Sequence, residues 1–205
     1  MRLYCIKFIY YFIHMIIYNK KYFLIIEDIK DIDLNKIKTP NKFIIIYRSS
    51  TKLVSINRLK YFRKICRVKK IQFFISNDFK LMLNLNADGL YISAYNKDLR
   101  INKLKNTKFE IIGSAHNIKE LLIKKQQGCS RFIYSRLFET NYKNKSGFTG
   151  VVKFNLLKLS RKEDLVPLGG IRLENLNKMK LVNSSAFVLM SEVKKKPAKI
   201  FSRLF

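Results

Sequence analysis

From Tyr22 onward the chain alternates short, unbroken apolar runs with longer amphipathic stretches. Tyr22–Glu27 (YFLIIE) and Phe43–Tyr47 (FIIIY) predict buried strands. Thr39-Pro40 separates the second from what precedes it, because proline cannot donate to a continuing helix. Thr51–Val68 then sets Leu53, Ile56, Leu59, Phe62 and Ile65 at helical spacing. Further strands are predicted at Ile71–Ile75, Leu90–Ser93, Phe109–Ile112, Phe132–Tyr134, Leu165–Leu168 and Ala186–Met190. Helices are predicted at Phe79–Asn86, Ile118–Gln127, Gly150–Leu159 and Leu173–Met179, with Asn117 as an N-cap and Gly128 as a stop.

These are eight strands, each followed by a helix or loop. Strands that are apolar throughout, rather than alternating, belong to a parallel sheet covered on both faces. Eight such units predict an α/β chain with a single (β/α)8 TIM barrel, favoured over an open doubly wound sheet. The polar stretch Glu139–Gly150 (ETNYKNKSGFTG) is long for a compact domain, as lids and binding loops are. The barrel is expected over residues 21–205, with residues 1–20 an apolar N-terminal extension. Phe8–Tyr18 in that extension is too short to span a bilayer, which takes ~20 residues. Three readings of it compete: an anchor, an extra helix plugging the bottom of the barrel, or an early start with Met15 as the true one.

Composition changes the picture in one respect. Lys and Arg number 42 against 14 acids, a net charge of +28. The cations run along the whole chain beside abundant Ile, Asn, Phe and Tyr, as a bias toward AT-rich codons produces. A nucleic-acid-binding protein predicts clustered cations with exposed aromatics instead, and here most aromatics fall inside strand runs. Nucleic acid is therefore the least favoured partner, while the field still attracts small anions. The three cysteines have no CxxC spacing and the two histidines, His14 and His116, cannot build a His-rich metal site. A reducing, cytoplasmic compartment fits this usage.

Barrel chemistry sits at the C-terminal ends of the strands. Arg48 stands after the second, Ser76, Asn77 and Asp78 after the third, and Asn96, Lys97 and Asp98 after the fourth. Ser114 and His116 follow the fifth, Arg136, Thr140, Tyr142 and Lys143 the sixth, Gly169-Gly170 the seventh and Ser191 the eighth. The set is rich in cations, hydroxyls and backbone donors and poor in paired carboxylates. It suits phosphate or pyrophosphate better than glycoside or ester hydrolysis. Gly169-Gly170 and Ser191 mark the place where a barrel commonly holds a phosphate on backbone amides.

Five segments in this order carry a family resemblance: Leu85-Asn86-Ala87-Asp88-Gly89-Leu90, Gly113-Ser114-Ala115-His116-Asn117, Phe138-Glu139-Thr140 with Lys143, Pro167-Leu168-Gly169-Gly170-Ile171, and Ala186–Ser191. From about Tyr22 to Val193 the chain resembles the thiamine-phosphate synthase/TenI family. The resemblance implies a transferase that couples an aminopyrimidine pyrophosphate to a thiazole phosphate. Arg48, Thr140 and Lys143 would meet the pyrophosphate, with Arg48 and Lys143 catalytic. Ser114 would lie by the pyrimidine, and Gly169, Gly170 and Ser191 would hold the thiazole phosphate. It also implies Mg2+ on carboxylates after the third and fourth strands. Without a gap the aligned residues are Asn77 and Asn96; a one-residue shift after the third strand aligns Asp78 instead, and Asp98 lies two residues beyond Asn96, so Asp78 and Asp98 are the candidate metal acids. Ile46 and Ser50 stand where a Gln and a Lys are expected around the arginine, and Arg136 where the TenI branch carries a histidine. The alternative implied function is a TenI-like or non-catalytic barrel that binds a phosphorylated ligand.

Overall fold

A computed structural model describes residues 20–37, 39–49, 54–140, 147–191 and 193. The readings of residues 1–19, and of Ser50, Tyr142 and Lys143, lie outside the described residues. Eight parallel strands close into a barrel in chain order: β1 (Lys21–Ile26), β2 (Phe43–Tyr47), β3 (Gln72–Ser76), β4 (Gly89–Ile92), β5 (Glu110–Ala115), β6 (Arg131–Ser135), β7 (Asp164–Leu168) and β8 (Ala186–Leu189). Closure comes from β8 pairing with β1, Lys21 opposite Ala186 and Leu24 opposite Leu189. Among the described residues four α-helices pack outside: α1 (Ile56–Val68), α2 (Phe79–Asn84), α3 (Ile118–Gln126) and α4 (Gly150–Leu159). None of the described helices is long and apolar enough to cross a membrane.

The unbroken apolar strands are explained by two separate cores. Phe23, Ile25, Ile44, Ile46, Phe74, Tyr91, Ile112, Ile133, Val166, Ala186 and Val188 fill the barrel interior. Their strand neighbours, such as Tyr22, Leu24, Phe43, Ile45 and Tyr47, pack outward under the helices. Successive side chains on a strand point to opposite faces, so both parities must be apolar.

The helix expected at Leu173–Met179 is present as a 3-10 helix, Leu173–Leu181, and another 3-10 helix, Leu99–Leu104, takes the crossover after β4. Strand β5 runs on through Gly113, Ser114 and Ala115, which the sequence reads as loop. Their pairing with Phe132, Ile133 and Tyr134 extends it.

The Ala87-Asp88-Gly89 segment has a structural reason. Asp88 Oδ1 accepts from Arg63 Nη2 of α1 at 2.8 Å and Oδ2 accepts from the Phe73 amide at 2.7 Å. One carboxylate thus ties the crossover helix to the start of β3. At Gly89 a Cβ would sit 2.0 Å from the Glu110 carbonyl oxygen and 2.5 Å from Phe74 Cε1, so only glycine fits.

Candidate active site

The inward parity of each strand continues past its C-terminal end and brings a polar set over the filled interior. On β2, Ile44 and Ile46 are interior, and Arg48 is next in that series. Its guanidinium lies 3.3 Å from Glu27 Oε1, just after β1, and 3.7 Å from Met190 Sδ, just after β8. Both groups of the ion pair are partly exposed, so the pair contributes little to stability and the Arg48 guanidinium stays accessible from the mouth. Glu27 was missed in the sequence, although counting 23, 25, 27 along β1 marks it as inward. Ile46, where the family resemblance expects a Gln, is wholly buried in the barrel interior.

Beneath the mouth, Tyr91 is buried among the interior apolar side chains. Burial pushes its phenol up, opposed by a hydrogen bond with Ser114 and by the Arg48 charge. Ser114 is itself buried. At the end of β6, Ser135 Oγ and His116 Nδ1 share a hydrogen bond of 2.6 Å. The sequence singles out His116 without identifying this partner.

The other residues expected at the mouth have definite partners. Arg136 Nη1 donates to Thr140 Oγ1 at 2.6 Å and Nη2 to the Gly147 carbonyl at 2.8 Å. One guanidinium therefore holds both ends of the segment that contains Lys143. Gly169 and Gly170 have φ of +99° and +68°, and the chain 136–139 lies directly on them. Phe138 donates to the Gly169 carbonyl at 2.9 Å. A Cβ on Gly170 would come 2.5 Å from the Glu139 carbonyl oxygen. The glycine pair is thus required by loop packing as well as suited to an anion. Among the described residues no acceptor takes the amides of Gly170 and Ile171, which leaves two donors at the end of β7. Ser191 lies two residues beyond β8 and is exposed.

The expected metal acids are engaged elsewhere. Asp78 is the N-cap of α2, its Oδ1 accepting from the Leu81 amide at 2.8 Å. Asp98 caps the 3-10 helix Leu99–Leu104 and accepts from Arg100 Nε and Nη2 at 2.8–3.1 Å. The Arg100 side chain, then its amide, holds the Asp98 carboxyl below the usual range. Asn77 and Asn96 face one another, Asn96 Nδ2 donating to Asn77 Oδ1 at 3.3 Å. Among the described residues no three His, Cys, Asp or Glu side chains converge as a metal site. The donors present do not fit Mg2+, which favours charged oxygens in an octahedral shell. Cys66 and Cys129 are buried away from the mouth, where burial pushes each thiol up to about 12.

A cavity of about 380 Å³ opens at the opposite end of the barrel, lined by Arg63, Arg67, Lys70, Asp88 and Lys108 among others. It lies beneath the Arg63–Asp88 tie, at the N-terminal ends of the strands, and not where barrel chemistry is placed.

Residues 41–193 match the family model described as thiamine monophosphate synthase. A thiamine-phosphate synthase of Pelagibacter ubique is 28% identical over 184 residues, covering 84% of this chain and 88% of that protein. One from Clostridium acetobutylicum is 31% identical over 120 residues, covering 57% of this chain and 56% of that protein. Among solved structures, a thiamine phosphate pyrophosphorylase from Pyrococcus furiosus superposes with a TM-score of 0.67 at 17% identity, over 93% of this chain and 99% of that one.

Proposed function

We infer the activity of this chain from its family: it belongs to the thiamine monophosphate synthases, and it is a transferase that joins an aminopyrimidine pyrophosphate to a thiazole phosphate. The observation that carries this reading is the extent of the family match. It runs from before β2 to beyond β8 and so takes in every residue assigned to the mouth except Glu27.

In the reaction the bond between the pyrimidine CH2 carbon and the pyrophosphate oxygen breaks, its electron pair leaving with the pyrophosphate. The thiazole nitrogen supplies the pair for the new C–N bond. The protein's part is to take up charge on the leaving oxygens and to hold the two rings in line. Arg48 serves the first task, together with Lys143, with Thr140 as a hydroxyl donor. Arg136 positions the chain on either side of Lys143 through Thr140 and Gly147. Ser114, supported from below by Tyr91, addresses the pyrimidine ring. The amides of Gly170 and Ile171, with Ser191, receive the thiazole phosphate. No step is assigned to a metal, since Asp78 and Asp98 are committed to helix caps and Asn77 and Asn96 to each other.

The test is the coupling reaction itself on purified full-length protein, with both phosphorylated precursors and thiamine phosphate as the measured product. Turnover that falls more than about tenfold in Arg48→Ala, a loss above ~1.4 kcal/mol of transition-state stabilisation, supports the assignment. A second reading is favoured by the buried Ile46 and the Asn77–Asn96 pair, which replace expected polar and charged groups: a barrel that binds the thiazole phosphate without joining it. Calorimetric binding of thiazole phosphate with no product from either buffer, Mg2+ or EDTA, would establish that second reading and overturn the first.

A further inference from the structure

We propose that the ends of β3 and β4 in this barrel are closed by a neutral amide pair that excludes a divalent cation, so that a diphosphate at the mouth is met by side-chain cations alone. The proposal deepens the transferase reading and rests on it for the identity of the ligand, though not for the chemistry of the pair.

Asn77 sits at φ +56°, a left-handed position that asparagine tolerates, held by its amide donating to the Tyr91 carbonyl at 2.8 Å. Its Oδ1 accepts twice, from the Ser93 amide at 3.0 Å and from Asn96 Nδ2 at 3.3 Å. An amide oxygen has two lone pairs, so none is left for a metal. Its Nδ2 donates to Ser93 Oγ at 3.1 Å and to Ser76 Oγ at 3.4 Å, which fixes the amide's orientation. Asn96 is held as well: its Oδ1 accepts from the Asp98 amide at 2.9 Å, which leaves one neutral lone pair and no charge. Behind it, the ammonium of fully buried Lys124 donates to the Asn96 carbonyl, and Gln127 Nε2 reaches the same oxygen at 3.1 Å.

The consequence is electrostatic. Two carboxylates at this separation would repel unless a cation lay between them; two amides bind each other directly and need none. A positive charge already stands against this turn in Lys124, and the nearby Asp98 carboxylate is spent on Arg100. An added divalent ion would meet the Lys124 charge, with Asp98 held by Arg100 and Asp78 turned to the Leu81 amide. Restoring the acids should therefore restore the need for metal.

Metal binding can be read without turnover. Titrated with Mn2+ alone, the wild-type chain should leave the free-ion electron paramagnetic resonance signal unchanged through the low-millimolar range, and its melting temperature should not respond to the ion. Asn77→Asp/Asn96→Asp should melt lower than wild type in EDTA, recover on adding Mn2+, and bind Mn2+ at least tenfold more tightly. Inorganic pyrophosphate should bind wild type with the same affinity, within about threefold, in EDTA and in Mg2+. The proposal is overturned if wild type takes up one Mn2+ per chain and Asn77→Ala abolishes it. It is equally overturned if Mg2+ tightens pyrophosphate binding more than tenfold in wild type but not in Asn77→Ala. These wild-type measurements require no engineered carboxylate to fold. A chain inert in the coupling reaction but metal-free by these readouts would refute the transferase reading and leave the amide pair standing.

Discussion

Replacing Asp88 by alanine tests whether one of the five family-like segments of the chain is chemical or structural. Asp88 stands just before β4, at the end of the barrel opposite the mouth, and joins α1 to β3 through two hydrogen bonds. Arg63 is 8% exposed at its side chain and Asp88 32%. Removing one member of a buried ion pair costs ~3–5 kcal/mol, and the partial exposure of Asp88 places this pair at the lower end. The Phe73 amide also loses its 2.7 Å acceptor, a further ~1–3 kcal/mol if water cannot replace it. The two losses overlap, so about 3–4 kcal/mol is expected, a fall in melting temperature of roughly 10 °C for a chain of this size. Asp88→Asn keeps an oxygen for Phe73 and should lose about half as much. Urea denaturation of Asp88→Ala, Arg63→Met and the double variant closes a cycle whose coupling should be about 1–3 kcal/mol. Activity per folded molecule should stay within a fewfold of wild type. A stability change under ~0.5 kcal/mol, or a hundredfold loss of turnover in a fully folded variant, would refute the argument.

Gly89→Ala should fail to give soluble, cooperatively melting protein, because the Glu110 backbone and the buried Phe74 ring both meet the added carbon; a wild-type melt would show that β4 can move. His116→Ala and Ser135→Ala should each lower turnover less than tenfold, and the double variant no further, if their 2.6 Å hydrogen bond only orders the rim; a hundredfold loss on His116→Ala with Ser135→Ala mild would make the imidazole a participant. Burial pushes the Lys20 ammonium down to about 8, although the Met179 and Val182 carbonyls accept from it at 2.8 and 2.9 Å. A base with a lowered folded pKa binds its proton better when unfolded, so its penalty fades as pH rises from about 8 toward the ordinary lysine value of 10.5. The urea midpoint of wild type relative to Lys20→Met should therefore climb between pH 8 and 10, and a flat difference would refute the shift.

Much of the barrel is legible in the apolar runs. Each strand must present apolar side chains on both faces, and only a parallel sheet packed inside and out asks for that. Local capping was also legible: Asp78 directly precedes α2, as an N-cap does, and Asn117 precedes α3. Reading Asp78 and Asp98 as metal acids set this local signal aside in favour of their nearness to strand ends. A short carboxylate next to unpaired helical amides is captured by them first, because the partners are two or three residues away and cost little chain entropy.

What the sequence could not decide is which side chains meet across strands. Asn77 with Asn96, and His116 with Ser135, are each 19 residues apart, and Arg63 with Asp88 is 25. Glu27 and Arg48 come together only because β1 and β2 pair with Ile26 opposite Tyr47, which sets the next two residues side by side. Strand parity names the residues that face inward. The register of a parallel pair is set by the crossover between its strands and by closure of the whole ring, and neither leaves a local trace in the chain. The sequence by itself therefore determined the strands, their burial and the family. The partner of each polar group at the mouth, and with it the chemistry open to that group, was decided by closing the barrel.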